Sequence, residues 1–284
     1  MLTKKPPPTN FVKNRIKRVK KQLTWLFEQA TWRIRPLPDF IIIGAMKSGT
    51  TSLFTYLQQH PQLFPSSIKE TKFFINPDRF AKGQAWYRAH FPLTRQISIG
   101  AKTYEASPGY IFNPLAPKRI FELIPKVKII AVLRNPTERA ISHYFHEKRK
   151  GRESLPIDKA LQEEEKRLEQ AIKTKDYFSE AYLHCSYKRR GIYKEQIEWY
   201  LNYFPSQKIL IFSSNELFVE PGNCLKRIFD FVGVDREFEI KDLVPCNVAS
   251  NKSKVDASVY EYLNNYFMQH NEELYELIGK NYTW

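Results

Sequence analysis

The residues best able to do chemistry stand together early in the chain: Gly44-Ala45-Met46-Lys47-Ser48-Gly49-Thr50-Thr51-Ser52. Two glycines, a lysine and a run of hydroxyls suit a loop that wraps an anion with backbone N–H groups and one fixed positive charge. The glycines have Walker-A spacing and Thr51 falls at that motif's Ser/Thr. However, Thr50 follows the second glycine where the motif requires Lys, and the lysine sits three places earlier, at 47. A nucleotide triphosphatase also needs an acid to hold magnesium, commonly at the end of a neighbouring strand. Two neighbouring stretches that read as strands, 97–101 and 129–133, run instead into Lys102 and Arg134. The loop is therefore expected to serve an anionic nucleotide without a metal. Arg134 offers forked donors suited to a terminal phosphate. Ser142 follows it by eight residues, and His146, four further on, shares Ser142's helix face.

These groups need a frame, and the apolar pattern supplies one. Short strands are expected over 40–44, 97–102, 128–133 and 208–212, the third apolar enough in its middle to be buried on both faces. Helices are expected over 51–59, 117–123, 156–173 (charged, largely on the surface), 192–203, 225–232 and 258–278. Another starts at Asn135-Pro136-Thr137-Glu138, which offers an N-cap, Pro at the first helical position and Glu at the third. Strands alternating with helices predict an α/β fold: a P-loop-like doubly wound parallel sheet flanked by helices. Tyr193 and Trp199 recur at helical spacing and read as core. No linker is visible beyond residue 38, so residues 37–284 read as one domain behind an arm of residues 1–36.

Charge separates the two. The chain has 284 residues with 45 Lys and Arg against 30 Asp and Glu, a net +15. Ten of those cations and a single acid, Glu28, lie in the first 36 residues. There Val12, Ile16, Val19, Leu23, Leu26 and Phe27 recur at helical spacing, predicting a basic amphipathic helix. Such a helix suits peripheral contact with an anionic membrane surface or another polyanion, or docks its apolar stripe on the domain. With 42% hydrophobic residues and no low-complexity tract, disordered and fibrous classes are excluded. No window reaches membrane-span length, and the basic start lacks the apolar stretch of a secretory signal. Three widely spaced cysteines fit a reducing compartment and no thiolate zinc site. The expected location is cytoplasmic, at most membrane-peripheral.

The stretch Pro38-Asp39-Phe40-Ile41-Ile42-Ile43-Gly44 through Leu53 resembles the 5′-phosphosulfate loop of sulfotransferases that use 3′-phosphoadenosine-5′-phosphosulfate (PAPS). Three further stretches are similar to the branch containing heparan sulfate sulfotransferases and their bacterial relatives. They are Lys69-Glu70-Thr71-Lys72-Phe73-Phe74, then Leu133-Arg134-Asn135-Pro136 with Arg139 to Tyr144, and the ending from Asn271 to Trp284. The resemblance implies that PAPS is the donor and 3′-phosphoadenosine-5′-phosphate the product. Lys47, Ser48, Gly49, Thr50, Thr51 and Ser52 would hold the 5′-phosphosulfate, with Lys47 neutralising the bridging oxygen as sulfuryl leaves. Arg134 and Ser142 would grip the 3′-phosphate. Glu70 would be the general base and His146 a candidate acid/base, while Lys69 and Lys102 would line the acceptor cleft. Lys102 resembles the lysine of a Lys-Thr-Pro-x-Tyr segment, and Lys252 and Lys254 stand roughly where relatives close a basic loop over the nucleotide. The chain departs from the branch at Thr71 and Lys72, where relatives often have Pro and His. The implied acceptor is a hydroxyl or amine of a carbohydrate or glycolipid, with no metal and no nucleic acid. The competing readings are a P-loop kinase with a displaced lysine and a polyanion- or membrane-binding module with a degenerate site.

Overall fold

The computed structural model describes residues 9–246 and 255–284. Among them, five parallel strands form one sheet: β1 (Phe40–Gly44), β2 (Leu63–Pro65), β3 (Lys102–Ala106), β4 (Lys128–Leu133) and β5 (Ile209–Ser213), in the order β2-β3-β1-β4-β5. The helices are α1 (Thr9–Ala30), α2 (Thr50–Leu57), α3 (Pro77–Phe80), α4 (Gly83–Arg88), α5 (Ala116–Leu123), α6 (Pro136–Arg149) and α7 (Ile157–Gln162). They continue as α8 (Glu164–Lys173), α9 (Glu180–His184), α10 (Tyr193–Leu201), α11 (Ser214–Val219), α12 (Pro221–Val232) and α13 (Ala257–Ile278).

The sheet is covered on both faces, which is why β1 is apolar throughout and β4 is apolar after Lys128. Side chains alternate between the faces. Ile41, Ile43, Ile129 and Ala131 pack toward Tyr193, Ile197 and Tyr200 of α10 and Leu274 of α13. Phe40, Ile42, Ile130 and Val132 pack toward Leu53 and Leu57 of α2 and Ile228 and Phe229 of α12. β1 lies between β3 and β4, and the connections that leave β1 (to β2) and β4 (to β5) run in opposite directions across the sheet, so the strand order reverses at β1. Open α/β sheets bind ligands outside the carboxyl ends of their strands at this point. The doubly wound sheet expected from the sequence is thus the one observed.

Three local expectations need correcting. The strand read at 97–102 lies at Lys102–Ala106 instead, because Ile99 is fully exposed and Gly100 turns the chain at φ 81°. Polar Thr103 and Glu105 hid the true strand; both are buried, with Thr103 bonded to Asp39 and Glu105 to Thr71. The short edge strand β2 went unread. The helix expected over 156–173 breaks into α7 and α8, and it is not wholly a surface element. Glu164 is buried, its carboxylate accepting from the amides of Lys188 at 2.6 Å and Arg189 at 2.8 Å.

Candidate active site

The loop between β1 and α2 occupies the switch point. Gly44 is required there by close approach: a Cβ on it would lie 2.3 Å from Ile111 Cγ2 and 3.2 Å from the Pro108 carbonyl oxygen. Ile111 is buried and cannot swing aside. Gly44→Ala is therefore expected to cost about 1–3 kcal/mol of stability by overpacking. Urea unfolding would show it as a lowered midpoint, and an unmoved midpoint would mean that the neighbours yield. Gly49, at φ 92°, caps α2 from the left-handed region, and no side chain caps the helix. The first-turn N–H groups of α2 thus lack both intrahelical and side-chain partners and point out of the helix start. Ser48 is buried beside them, and its Oγ has no hydrogen-bond partner.

Cations close around this loop. Lys47 holds φ 71°, and burial lowers its pKa, helped by the charges of Arg149 and Arg134. Arg134 follows β4, and its Nη1 donates to the Lys47 carbonyl at 3.1 Å while Nη2 pairs with Glu138 at 3.2 Å. The Asn135 side chain caps α6 by accepting from the Glu138 amide at 3.2 Å. Glu138, placed to return a bond to the Asn135 amide, spends its carboxylate on Arg134 instead, so the cap is one-sided. Tyr193 backs the arginine, its hydroxyl donating to the Arg134 carbonyl at 2.8 Å. The Tyr193 ring is core, as its spacing suggested, and leans on Trp284 at 5.9 Å.

Ser142 and His146 lie on α6, at successive four-residue steps from Glu138, on one helix face. Burial lowers the His146 pKa, and the Lys47 charge lowers it further, so the imidazole beside the loop is neutral at pH 7. The next residue, Glu147, was not singled out from the sequence. It gathers Arg152 at 2.5 Å, His184 at 3.2 Å and His143 at 3.6 Å around one buried carboxylate. Burial alone would raise Glu147, but the neighbouring His143 and the hydrogen bond from Arg152 hold it at about 2, below the ordinary 4.5. Because the folded value is depressed, the stabilisation is present above the ordinary carboxylate range and is lost as pH falls toward 2. Glu147→Gln should lower stability at pH 7 by roughly 2–3 kcal/mol. The gap to wild type should narrow as pH falls below 4.5, read by denaturant titration across pH; a constant gap would remove the charge from the account.

Glu70 reaches the same edge of the sheet from another direction. Its amide donates to the Ala106 carbonyl at 2.9 Å, where β3 ends, and the Lys72 amide donates to Ser107 Oγ at 3.1 Å. The carboxylate is half-exposed, with Lys69 at 3.2 Å and Lys72 at 3.6 Å. Behind it, Thr71 donates to Glu105. Burial pushes Glu105 up to about 7, against the hydrogen bond from Thr71.

A family model described as the sulfotransferase domain matches residues 37–276. The chain belongs to the sulfotransferase family. The membrane-associated sulfotransferase kil1 of Dictyostelium discoideum is 27% identical, covering 96% of this chain and 72% of that protein. Heparan sulfate glucosamine 3-O-sulfotransferase 5 of Mus musculus is 29% identical over 88% of this chain and 75% of its own. The bifunctional heparan sulfate N-deacetylase/N-sulfotransferase 3 of Homo sapiens is 28% identical over 86% of this chain, which spans only 30% of that relative. The crystal structure of a sulfotransferase from Alicyclobacillus acidocaldarius aligns with a TM-score of 0.72 at 27% identity, covering 87% of this chain and 97% of that one. The chain is accordingly an enzyme, a sulfotransferase, and the kinase and degenerate-module readings fall.

The sulfotransferase fold brings Lys47, Ser48, Gly49, Thr50, Thr51, Arg134, Ser142, His146, Lys69 and Glu70 to one edge of the sheet. Two expectations change. Lys102 opens β3 at the opposite edge, its amide on the Gln62 carbonyl at 2.8 Å, and cannot line a cleft at the strand ends. The stretch at the carboxyl end of β3 is Ala106-Ser107-Pro108-Gly109-Tyr110, which keeps the Pro-x-Tyr part of the pattern with serine in the threonine's place and alanine in the lysine's. A cation therefore ends only one of the two strands flanking β1. Ser52 is fully buried, and its Oγ accepts from the Cys246 amide at 2.8 Å, so that hydroxyl braces a distant segment. Lys252 and Lys254 lie outside the described residues. Arg149 joins the cations around Lys47 unforeseen, though its step of three from His146 along α6 was there to be read.

Proposed function

We propose that this sulfotransferase moves the sulfuryl group of PAPS to a hydroxyl or amine of a carbohydrate acceptor. One observation carries the donor: an uncapped helix start with the unpartnered Ser48 hydroxyl beside it, flanked by Lys47 and Arg134 in direct contact at the switch point. A pyrophosphate-like anion fits that donor set, with α2's first-turn amides and the Thr50 and Thr51 hydroxyls around the 5′-phosphosulfate. Arg134 and Ser142 would hold the 3′-phosphate, and the Glu138 partner of Arg134 would yield part of its pairing to it. The reaction is read as in-line: the acceptor atom bonds to sulfur as the bond from sulfur to the bridging phosphate oxygen breaks. Lys47 stabilises the charge left on that oxygen, and Glu70 takes the acceptor's proton. With Glu138 and Glu147 both committed to cations of the chain, charge at the donor is met by Lys and Arg, and chelators should leave turnover unchanged.

The names of the relatives, which include a glucosamine 3-O-sulfotransferase and an N-sulfotransferase, support a glycan acceptor. Calorimetry tests the donor. 3′-Phosphoadenosine-5′-phosphate should bind at least about tenfold more tightly than adenosine-5′-phosphosulfate, because the 3′-phosphate gains charge-assisted bonds. Equal affinities would remove Arg134 and Ser142 from their assigned place, and no binding of either nucleotide would overturn the proposal.

A further inference from the structure

Helix α1 is fixed to the domain along one side and bare along another. Trp25 anchors it, its ring centroid 4.9 Å from His90 and 6.2 Å from Trp86. On a different face, Val19, Leu23, Leu26 and Phe27 stand 47%, 61%, 63% and 52% exposed. Their spacing of four, three and one places them in a single stripe, turned away from Trp25. Exposed Arg15 lies along one flank of the stripe and exposed Lys13 and Lys20 along the other. A contiguous row of large apolar side chains in water marks an interaction surface, and its basic flanks select the partner. An anionic bilayer takes both parts, the stripe entering the headgroup boundary while the cations reach lipid phosphates. A nucleic acid would satisfy the cations and leave the leucines wet, and a second copy would press like charges together.

The anchor also leads to the catalytic edge. Arg79 lies over the Trp86 ring at 5.8 Å, and its Nη1 donates to the Glu70 carbonyl at 3.2 Å and to that of Thr71. The His90 carbonyl accepts from the Ser67 amide at 2.7 Å, three residues before Glu70. We propose that α1 is a bilayer-docking helix that sets the Glu70 loop at an anionic membrane surface, so that the glycan acceptor is carried on a lipid. The acceptor half of this inference rests on the proposed reading of Glu70; the docking half does not.

The test uses the full chain and two kinds of vesicle. Wild type should co-sediment with phosphatidylcholine–phosphatidylglycerol vesicles, more weakly at high salt, and stay in solution with phosphatidylcholine alone. Leu23→Asp with Leu26→Asp should lose at least about tenfold in vesicle affinity and keep wild-type affinity for 3′-phosphoadenosine-5′-phosphate. Wild type that ignores anionic vesicles, or a double variant that sediments as wild type does, overturns the docking. So does a wild-type dimer that the same substitutions dissociate, which would give the stripe to a second copy. Transfer should be faster to a glycolipid in anionic vesicles than to the same glycan released in solution, and the double variant should erase that difference. Equal wild-type rates overturn the lipid-borne acceptor. Loss of nucleotide binding in wild type would sink the donor reading and leave the vesicle result standing.

Discussion

Lys47→Ala should lower kcat by about a hundred- to a thousandfold, the loss seen when one preorganised donor is removed from a developing negative charge. The fold should not suffer. In the folded chain burial and the charges of Arg149 and Arg134 disfavour the Lys47 ammonium, so its removal relieves a cost. The expected pairing is a sharp fall in turnover with thermal stability equal to or above wild type, a trade common at sites built for chemistry. Single-turnover transfer of radiolabelled sulfate, alongside a melting curve, checks both halves. Turnover left near the wild-type level would strip Lys47 of its role at the bridging oxygen.

Glu70→Gln should leave nucleotide affinity unchanged and reduce transfer by about 10²–10⁴-fold, the range for a displaced general base. The substitution is nearly isosteric, and the ion pairs it breaks, with Lys69 and Lys72, are half-exposed and contribute little to stability. The backbone bonds that hold the residue, from its amide to Ala106 and from Arg79 to its carbonyl, survive the change. A variant that binds the nucleotide as wild type does and also transfers at the wild-type rate would show that the acceptor loses its proton elsewhere. The neutral imidazole of His146 is the next group to test.

These positions were legible to different degrees, for physical reasons. The Lys47 loop was readable because an apolar strand, a glycine turn and a helix start occupy consecutive residues, so local sequence carries the whole arrangement. Arg134 and the cap at Asn135 follow the same logic. The place of Lys102 is not legible locally, because a short motif does not say where β3 begins. That boundary depends on buried hydrogen bonds from Thr103 to Asp39 and from Thr71 to Glu105, which no local pattern announces. The Glu147 cluster was half visible: His143 lies on its own helix, whereas His184 arrives from α9. Ser52 reads as a ligand hydroxyl because it continues the Thr50-Thr51 run, and only the return of the chain at Cys246 shows that its oxygen accepts from a distant amide.

One small contact has a practical corollary at the bench. Trp284 rests on Tyr193, the same tyrosine whose hydroxyl steadies the backbone of Arg134. Under the proposed donor reading, a change at Trp284 reaches Arg134 through that tyrosine, so any alteration near this tryptophan should be checked for its effect on nucleotide affinity.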